Sequence, residues 1–212
     1  MNMTSAIKIF DQNAQRYDSW YIKHWYAYQS ELIAIRSILP RFRYGIEIGS
    51  GTGRFAIPLG IHVGVEPSQK MSNIAKQKGL NTINATAEQL PFANESFDFA
   101  LIVVSICFFD NSFLALKEAH RILTHKGYLI IGIIPSNSII GNFYLKNKIP
   151  PFYTHAKFFT TEDILKLLAN SGFVTRTLVQ TLFDFPWMLT KVDPTVKGYG
   201  VGSFVVILAQ KI

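Results

Sequence analysis

YGIEIGSGTG, residues 44–53, is the stretch of this 212-residue chain that decides its fold. A short apolar run leads directly into a turn with three alternating glycines. Glycine has no Cβ, so such a turn can be tight and its backbone amides can approach a ligand closely. A second apolar run, residues 63–65, ends in the acid Glu66. The carboxyl ends of neighbouring strands in an open α/β sheet lie at one edge, so the pattern predicts a nucleoside site there.

The spacing of the glycines separates two kinds of nucleoside ligand. A dinucleotide-binding turn follows the pattern G-x-G-x-x-G and would need a third glycine at position 54, where this chain has Arg54. The acid that precedes the turn, Glu47, would repel a pyrophosphate but suits a cationic amine or a sulfonium. Alternating glycines also occur in ordinary turns, so the loop alone does not settle the function.

The glycine turn resembles motif I of the class I S-adenosylmethionine-dependent methyltransferases. Other segments that look like parts of this family follow in the family's order along nearly the whole chain. They are residues 84–99 (adenine-contacting loop and fourth strand), 116–127 (helix and turn before the fifth strand) and 159–173 (late helix). Residues 10–20 resemble the N-terminal cap of members of the ubiquinone- and menaquinone-biosynthesis type.

This resemblance implies an α/β fold, a Rossmann-like three-layer sandwich with a mostly parallel seven-stranded sheet whose last strand is antiparallel. The length suits one domain over residues 1–212. Residues 1–40 would form an N-terminal helical cap, with one apolar stripe from residue 19 to residue 39. Residues 135–159 combine prolines, asparagines and aromatics without clean periodicity, which predicts an inserted substrate or lid segment.

Local signals predict where several helices begin. Ser68 is a plausible N-cap, and Gly79 would end the same helix. Asn111 caps the next helix, and Thr160 with Asp163 predicts a capping box. Two closing strands are expected at residues 173–183 and 203–211.

The resemblance implies S-adenosylmethionine as cofactor and S-adenosylhomocysteine as its product. Glu47 would bind the amino group of the methionine part, the backbone of residues 49–53 would line that part, and Glu66 would bind both ribose hydroxyls. Many relatives carry an aspartate where Thr86 stands, and an uncharged hydroxyl accepts a hydrogen bond more weakly. The predicted cofactor-binding residues are Tyr17, Glu47, Gly49, Ser50, Gly51, Gly53, Glu66, Pro67, Ser68, Met71, Thr86, Ala87, Glu88 and Ser105.

Methyl transfer needs few catalytic side chains. Alignment of a nucleophile with an activated methyl can supply about 7 to 11 kcal/mol, so a dedicated base is optional. No catalytic residue is assigned from the sequence. Tyr17 and His155 are the candidates, and the alternatives are a packing role for Tyr17 and a solvated surface position for His155.

The formal charge of +7 raises the question of a nucleic-acid partner. The basic residues are spread over several segments without a dense run. The end of the predicted fourth strand, residues 105–109, also lacks the Asn-Pro-Pro-aromatic motif of many nucleic-acid methyltransferases. We therefore predict a small-molecule acceptor, placed between two aromatic-rich segments at residues 20–28 and 152–159. An RNA methyltransferase and a non-catalytic nucleotide-binding protein of the same fold are the alternatives.

Composition bounds the remaining partners. The single cysteine, Cys107, cannot form an internal disulfide and cannot by itself hold a metal cluster, so no metal site is predicted. The longest apolar runs are shorter than the roughly 18 to 20 residues of a membrane span, and the N terminus has no apolar signal region. The sequence predicts a cytoplasmic protein without a membrane span and leaves its oligomeric state open.

Overall fold

The computed structural model describes residues 3–147 and 150–212; the side chains of residues 3–5 and of His155 lie outside what is described. The helices are α1 Met3–Lys23, α2 Trp25–Ser37, α3 Gln69–Gln77, α4 Ser112–Ile122, α5 Ile139–Asn147 and α6 Thr161–Asn170. The strands are β1 Gly45–Ile48, β2 Val63–Val65, β3 Asn81–Ile83, β4 Phe97–Val103, β5 Leu123–Ile133, β6 Phe173–Thr181, β7 Val196–Lys197 and β8 Phe204–Lys211.

The strands form one mixed sheet in the order β3-β2-β1-β4-β5-β8-β6-β7. The first five strands of this order are parallel, and β8 runs antiparallel to both of its neighbours. Ile48 is level with Val65, so β1 and β2 end at the same edge. The predicted Rossmann-like sheet is confirmed, with one correction: it has eight strands rather than seven. The additional strand, β7, has two exposed residues and therefore lacks an alternating apolar pattern.

Both faces of the sheet are covered by helices. In β4, Phe99 and Leu101 join the core beneath α2, whereas Ala100 and Ile102 face the core that contains α4 and α6. Successive side chains of a strand point to opposite faces, so a strand covered on both sides is apolar at every position. This explains why the predicted fourth strand is a continuous apolar run.

The predicted helix starts are confirmed. Ser68 accepts a hydrogen bond from the Met71 amide at 3.3 Å, Asn111 accepts one from Leu114 at 3.0 Å, and Thr160 forms a capping box with Asp163. These side chains satisfy amides that have no partner within the helix. Caps are local interactions, which is why a sequence predicts them well.

Two segments differ from their predictions. The single helical stripe over residues 19–39 is divided between α1 and α2 at His24, whose backbone is not helical. The predicted inserted segment, residues 135–159, contains the regular helix α5. Gly141 in α5 packs so closely that a Cβ would lie 1.9 Å from the Pro135 carbonyl oxygen. Helix α5 has only nine residues and carries a glycine where it packs closely, so its sequence shows little helical periodicity.

No helix of the described residues is long and apolar enough to cross a membrane.

Candidate active site

The glycine turn after β1 requires glycine for conformational and steric reasons. Gly49, Gly51 and Gly53 have φ angles of +74°, +53° and +77°, values that residues with a side chain rarely adopt. A Cβ at Gly49 would also lie 2.6 Å from the Cβ of Ser105. The amides of Gly49 and Ser50 donate to the Val65 carbonyl at 2.8 and 3.0 Å, which fixes the turn to the end of β2. The predicted role of these glycines in a tight turn is confirmed.

Glu66 lies across this turn with its carboxylate fixed by backbone amides. One oxygen accepts from the Gly51 amide at 2.9 Å and the other from the Ser68 amide at 2.8 Å. The residue is 7% exposed, and burial raises the pKa of Glu66 to about 7 although both amides lower it. Each carboxylate oxygen can accept a second hydrogen bond. Glu66 can therefore bind hydroxyl donors without losing its existing partners.

Glu47 occupies a different position from Glu66. Its carboxylate accepts a hydrogen bond from the Ala56 amide at 2.9 Å, and the side chain is 2% exposed. Burial raises the pKa of Glu47 well above its usual range, against the opposite effect of that amide. Glu47 therefore ties the end of β1 to the segment that follows the turn, and it is not among the residues that line the cavity described below.

A cavity of about 280 Å³ lies over the ends of β1, β2 and β4. Ten of the predicted cofactor-binding residues line it: Tyr17, Gly49, Gly51, Glu66, Pro67, Met71, Thr86, Ala87, Glu88 and Ser105. We call the part formed by residues 49–51, 66–71 and 86–88 the glycine-turn end. The other four, Glu47, Ser50, Gly53 and Ser68, do not line it; Glu47 binds the Ala56 amide and Ser68 caps α3.

Helix α1 covers the glycine-turn end. A ring carbon of Tyr17 lies 3.4 Å from the position that a Cβ of Gly51 would take. Asp18 holds the helix in place through ion pairs with Arg54, at 2.5 Å, and with Lys78. Burial alone would raise the pKa of Asp18, but hydrogen bonds from the two cations lower it to about 2. Arg54, which stands where a dinucleotide turn has its third glycine, thus anchors the helical cap.

The opposite part of the cavity is lined mainly by aromatic side chains. Tyr144 of α5 stacks on Tyr153 with ring centroids 4.3 Å apart. Tyr21 of α1 donates to or accepts from the Tyr17 hydroxyl at 2.7 Å. We call this part the aromatic end and define it by Trp20, Tyr21, Glu31, Tyr144, Tyr153 and Trp187. It brings together three regions that are distant in the sequence, at residues 20–31, at residues 144–153 and at Trp187.

Two residues of the cavity wall have backbone conformations that are unusual for side-chain-bearing residues. Val104 has φ +50° and Leu182 has φ +59°. Each such conformation costs on the order of 1 to 3 kcal/mol and persists only where neighbouring interactions impose it. The Val104 amide donates to Gly132 at 2.8 Å, and the Leu182 carbonyl accepts from Ser203 at 2.7 Å. The sheet therefore imposes the shape of this wall.

Sequence reasoning missed Glu31 and the segment around Trp187. Glu31 is only 3% exposed and lines the cavity from α2. It lies three residues after Tyr28 and four before Ile35, on the buried stripe of the helix. An acid within an apolar stripe was the signal that could have identified it. Trp187 follows an irregular segment after β6 and had no comparable signal.

The structure describes the side chain of one candidate base, Tyr17, but not that of the other, His155. Burial raises the pKa of Tyr17 above its usual range despite its hydrogen bond with Tyr21, so Tyr17 keeps its proton near neutral pH. The side chain of His155 lies outside the described residues.

Burial raises the pKa of the Cys107 thiol to about 12, which agrees with a structural rather than a nucleophilic cysteine. Among the described residues, no three His, Cys, Asp or Glu side chains form a group that could hold a metal ion.

Comparisons with known proteins agree with this geometry. Residues 46–131 match a family model described as a methyltransferase domain. This chain superimposes with a TM-score of 0.95 on a crystal structure from Thermotoga maritima. That protein is described as a SAM-dependent methyltransferase and possible histamine N-methyltransferase. It is 48% identical to this chain, and the match covers 98% of this chain and 100% of that one. The chain belongs to the class I S-adenosylmethionine-dependent methyltransferases.

Two further relatives of this methyltransferase differ in how much of the chain they match. An uncharacterized protein of Methanocaldococcus jannaschii is 39% identical, over 97% of this chain and 100% of its own length. The demethylmenaquinone methyltransferase of Chlorobaculum tepidum is 28% identical over 60% of this chain and 64% of its own length.

The glycine-turn end of the methyltransferase fits its cofactor, S-adenosylmethionine. Gly49 and Gly51 present backbone to the cavity, and Glu66 presents acceptor oxygens of the kind that ribose hydroxyls need. Met71 and Pro67 add apolar wall beside them. When bound, the cofactor supplies a methyl group activated by a sulfonium. The chain itself contributes alignment and exclusion of water, because its aromatic side chains cover the cavity from α1 and α5.

Proposed function

We propose that this methyltransferase transfers a methyl group to a small-molecule acceptor that binds in the aromatic end of the cavity. The observation that carries the proposal is the continuity of one cavity of about 280 Å³ from the glycine turn to the aromatic end. Apolar cavities of a few hundred Å³ with a few polar groups are typical sites for small ligands. The reacting groups would meet between the two ends, where Tyr17 lies.

We further propose that Glu66 binds both ribose hydroxyls, and that the backbone of Gly49 and Gly51 lines the methionine part. Pro67 and Met71 would lie beside the ribose and adenine, and residues 86–88 would face the edge of the base. Glu47 would act on the methionine amino group only if the turn exposed its second oxygen. The position of Glu47 outside the cavity lining favours support of the Ala56 amide instead.

The charge distribution supports a small molecule over RNA. Arg16 lines the cavity, and Arg54 and Lys78 lie close to the site but are held by Asp18. An RNA-binding surface needs cations that are free to replace the counterions of phosphates. Aromatic side chains line much of the cavity, and their apolar ring faces suit an acceptor with an apolar body.

The activities named for two relatives also support the proposal. The Thermotoga maritima structure is described as a possible histamine N-methyltransferase, and the Chlorobaculum tepidum protein as a demethylmenaquinone methyltransferase. Both names refer to small-molecule acceptors, although of different chemistry. They support the class of acceptor and leave its identity to experiment.

Methyl-label transfer tests the proposal directly. The protein is incubated with labelled S-adenosylmethionine and with either the small-molecule fraction or the RNA fraction of a cell extract. We expect label in small molecules, and we expect Glu66→Ala to reduce it while the exposed variant Glu162→Gln does not. Label that enters RNA, with RNA affinity that falls steeply as salt rises, would show that the small-molecule assignment is wrong.

A further inference from the structure

We infer that Glu31 is the acceptor-recognition residue of the aromatic end, and that the acceptor is a small amine with an apolar body whose cationic nitrogen pairs with this carboxylate. The inference rests on the proposed small-molecule function and adds the chemical class of the acceptor.

The first observation is that Glu31 differs from the other buried acids of the site. Glu47 and Glu66 each accept hydrogen bonds from backbone amides. Glu31 is 3% exposed and lines the cavity, yet no hydrogen-bond donor or cation of the described residues reaches its carboxyl group. A buried carboxyl group without a partner is unfavourable. Its partner is therefore expected to be a molecule that enters the cavity.

The second observation is the character of the surrounding groups. Five tyrosines interact electrostatically with Glu31. They come from α1, α2, α5 and the short turn Tyr153–His155: Tyr17, Tyr21, Tyr28, Tyr144 and Tyr153. Arg16 and His24 also line the cavity, but within the described part of the chain neither forms an ion pair with Glu31. The faces of aromatic rings attract cations, and their carbon atoms suit an apolar body. The aromatic end therefore combines one acid with apolar walls.

The third observation concerns the proton. Burial raises the pKa of Glu31 to about 8, so the empty site holds a protonated carboxyl group near neutral pH. A typical alkylamine is more basic than this carboxylate. A neutral amine takes the proton from the carboxyl oxygen onto its nitrogen. An amine that enters as ammonium, the main form near neutral pH, forms the same ammonium–carboxylate pair when the carboxyl proton leaves to solvent. An alcohol can donate one hydrogen bond here but cannot form this pair, and a carboxylate ligand would be buried without a cation to pair with.

Matched pairs of probes test the inference. Each of several arylalkylamines and alkylamines is compared with the alcohol of the same carbon skeleton, beginning with 2-phenylethylamine and 2-phenylethanol. Their affinities are measured by calorimetry with the protein saturated with S-adenosylhomocysteine. We expect the amines that fit to bind at least tenfold more tightly than their alcohols. Glu31→Gln should abolish this preference, and the exposed variant Glu162→Gln should retain it.

The controls separate recognition from folding. Glu31→Asp keeps the carboxylate on a shorter side chain, so we expect it to retain a preference for amines with weaker binding. S-adenosylhomocysteine affinity and melting temperature are measured for every variant, because a structural role would lower stability in Glu31→Gln without changing the ratio between amine and alcohol. If no amine of the panel binds better than its alcohol, or if Glu31→Gln keeps the preference, the inference is wrong.

The same pairs separate this inference from the proposed function. If methyl label enters RNA and no small molecule, the proposed function itself fails. If label enters neutral or acidic small molecules at rates that Glu31→Gln does not alter, the proposed function holds and only the role of Glu31 is overturned.

Discussion

The two ends of the cavity place their acids in opposite circumstances. At the glycine-turn end, Glu66 is held by the amides of Gly51 and Ser68, all within a short stretch of sequence. At the aromatic end, Glu31 has no partner among the described residues and is surrounded by side chains from distant segments. The first acid is positioned before any ligand arrives, whereas the second needs a ligand to complete its interactions. On the proposed function, the first acid belongs to a cofactor site that is already positioned, and the second belongs to the acceptor site.

Changing Gly49 to alanine is expected to have the largest effect at the glycine-turn end. An alanine at this position would have to adopt the unfavourable φ of +74°, and its Cβ would lie 2.6 Å from the Ser105 Cβ. We expect a loss of about 2 to 4 kcal/mol in the free energy of unfolding, measured by denaturant titration. Gly60→Ala is the matched control, because Gly60 has φ +76° but no atom within 4 Å of its added Cβ. Equal losses in both variants would show that the contact with Ser105 has no energetic role.

Removing the carboxylate of Glu66 tests whether the fixed acid binds the cofactor. Glu66→Ala should weaken S-adenosylhomocysteine binding by about 1.5 to 3 kcal/mol, roughly ten- to a hundredfold, because charge-assisted hydrogen bonds are lost. Calorimetry gives the affinity, and circular dichroism checks that the variant is folded. Unchanged affinity in a folded variant would remove Glu66 from the cofactor site.

The raised pKa of Glu31, at the aromatic end, should make the stability of the protein depend on pH. The pKa of Glu31 is raised from its usual value to about 8 by burial, so the folded protein keeps a proton that the unfolded chain releases above pH 4.5. Stability of the wild type relative to Glu31→Gln should therefore fall as pH rises from about 4.5 to 8 and then level off. Denaturant titrations of both proteins at several pH values measure this difference. A difference that does not vary with pH would mean that Glu31 is ionised in the empty cavity.

Asp18 gives the smallest expected effect, with the opposite dependence on pH. Its pKa is lowered to about 2 in the folded protein, so its ion pairs with Arg54 and Lys78 stabilise the fold above about pH 4. This stabilisation is lost as pH falls towards 2. Asp18→Asn should cost about 1 kcal/mol at neutral pH and should increase hydrogen exchange in α1. The same exchange in both proteins would show that the ion pairs do not hold the helix.

Local patterns account for what the sequence predicted well. The caps at Ser68 and Thr160 depend on residues three positions apart, and the glycine turn and Glu66 lie at the ends of successive strands only 15 residues apart, so these features are visible in the sequence itself. β7 was not predicted, because two exposed residues carry no pattern, and α5 was hidden by its close contact at Gly141. The predicted contact of Glu47 with a ligand depends on which side of the turn its carboxylate occupies. That is set by the Ala56 amide, which no motif indicates.

The aromatic end could not be assembled from the sequence for a different reason. Trp20, Tyr144 and Trp187 become neighbours only after the sheet has brought α1, α5 and the segment after β6 to one edge. The aromatic-rich segments predicted around residues 20–28 and 152–159 do contribute, but the acid among them, Glu31, was overlooked within an apolar helix stripe. Long-range proximity and the absence of a partner are properties of the folded chain alone.

Helix α1 contributes Tyr17 above Gly51 and, one turn further along, Trp20 to the aromatic end. The part of α1 after its kink at Asn13 thus lies over both ends of the cavity. If the cofactor binds at the glycine turn as proposed, a movement of this segment that uncovers Gly51 would also move Trp20. Each catalytic cycle would then load, close and empty both compartments together, so the helix would set the turnover rate whenever its release is slower than the chemistry.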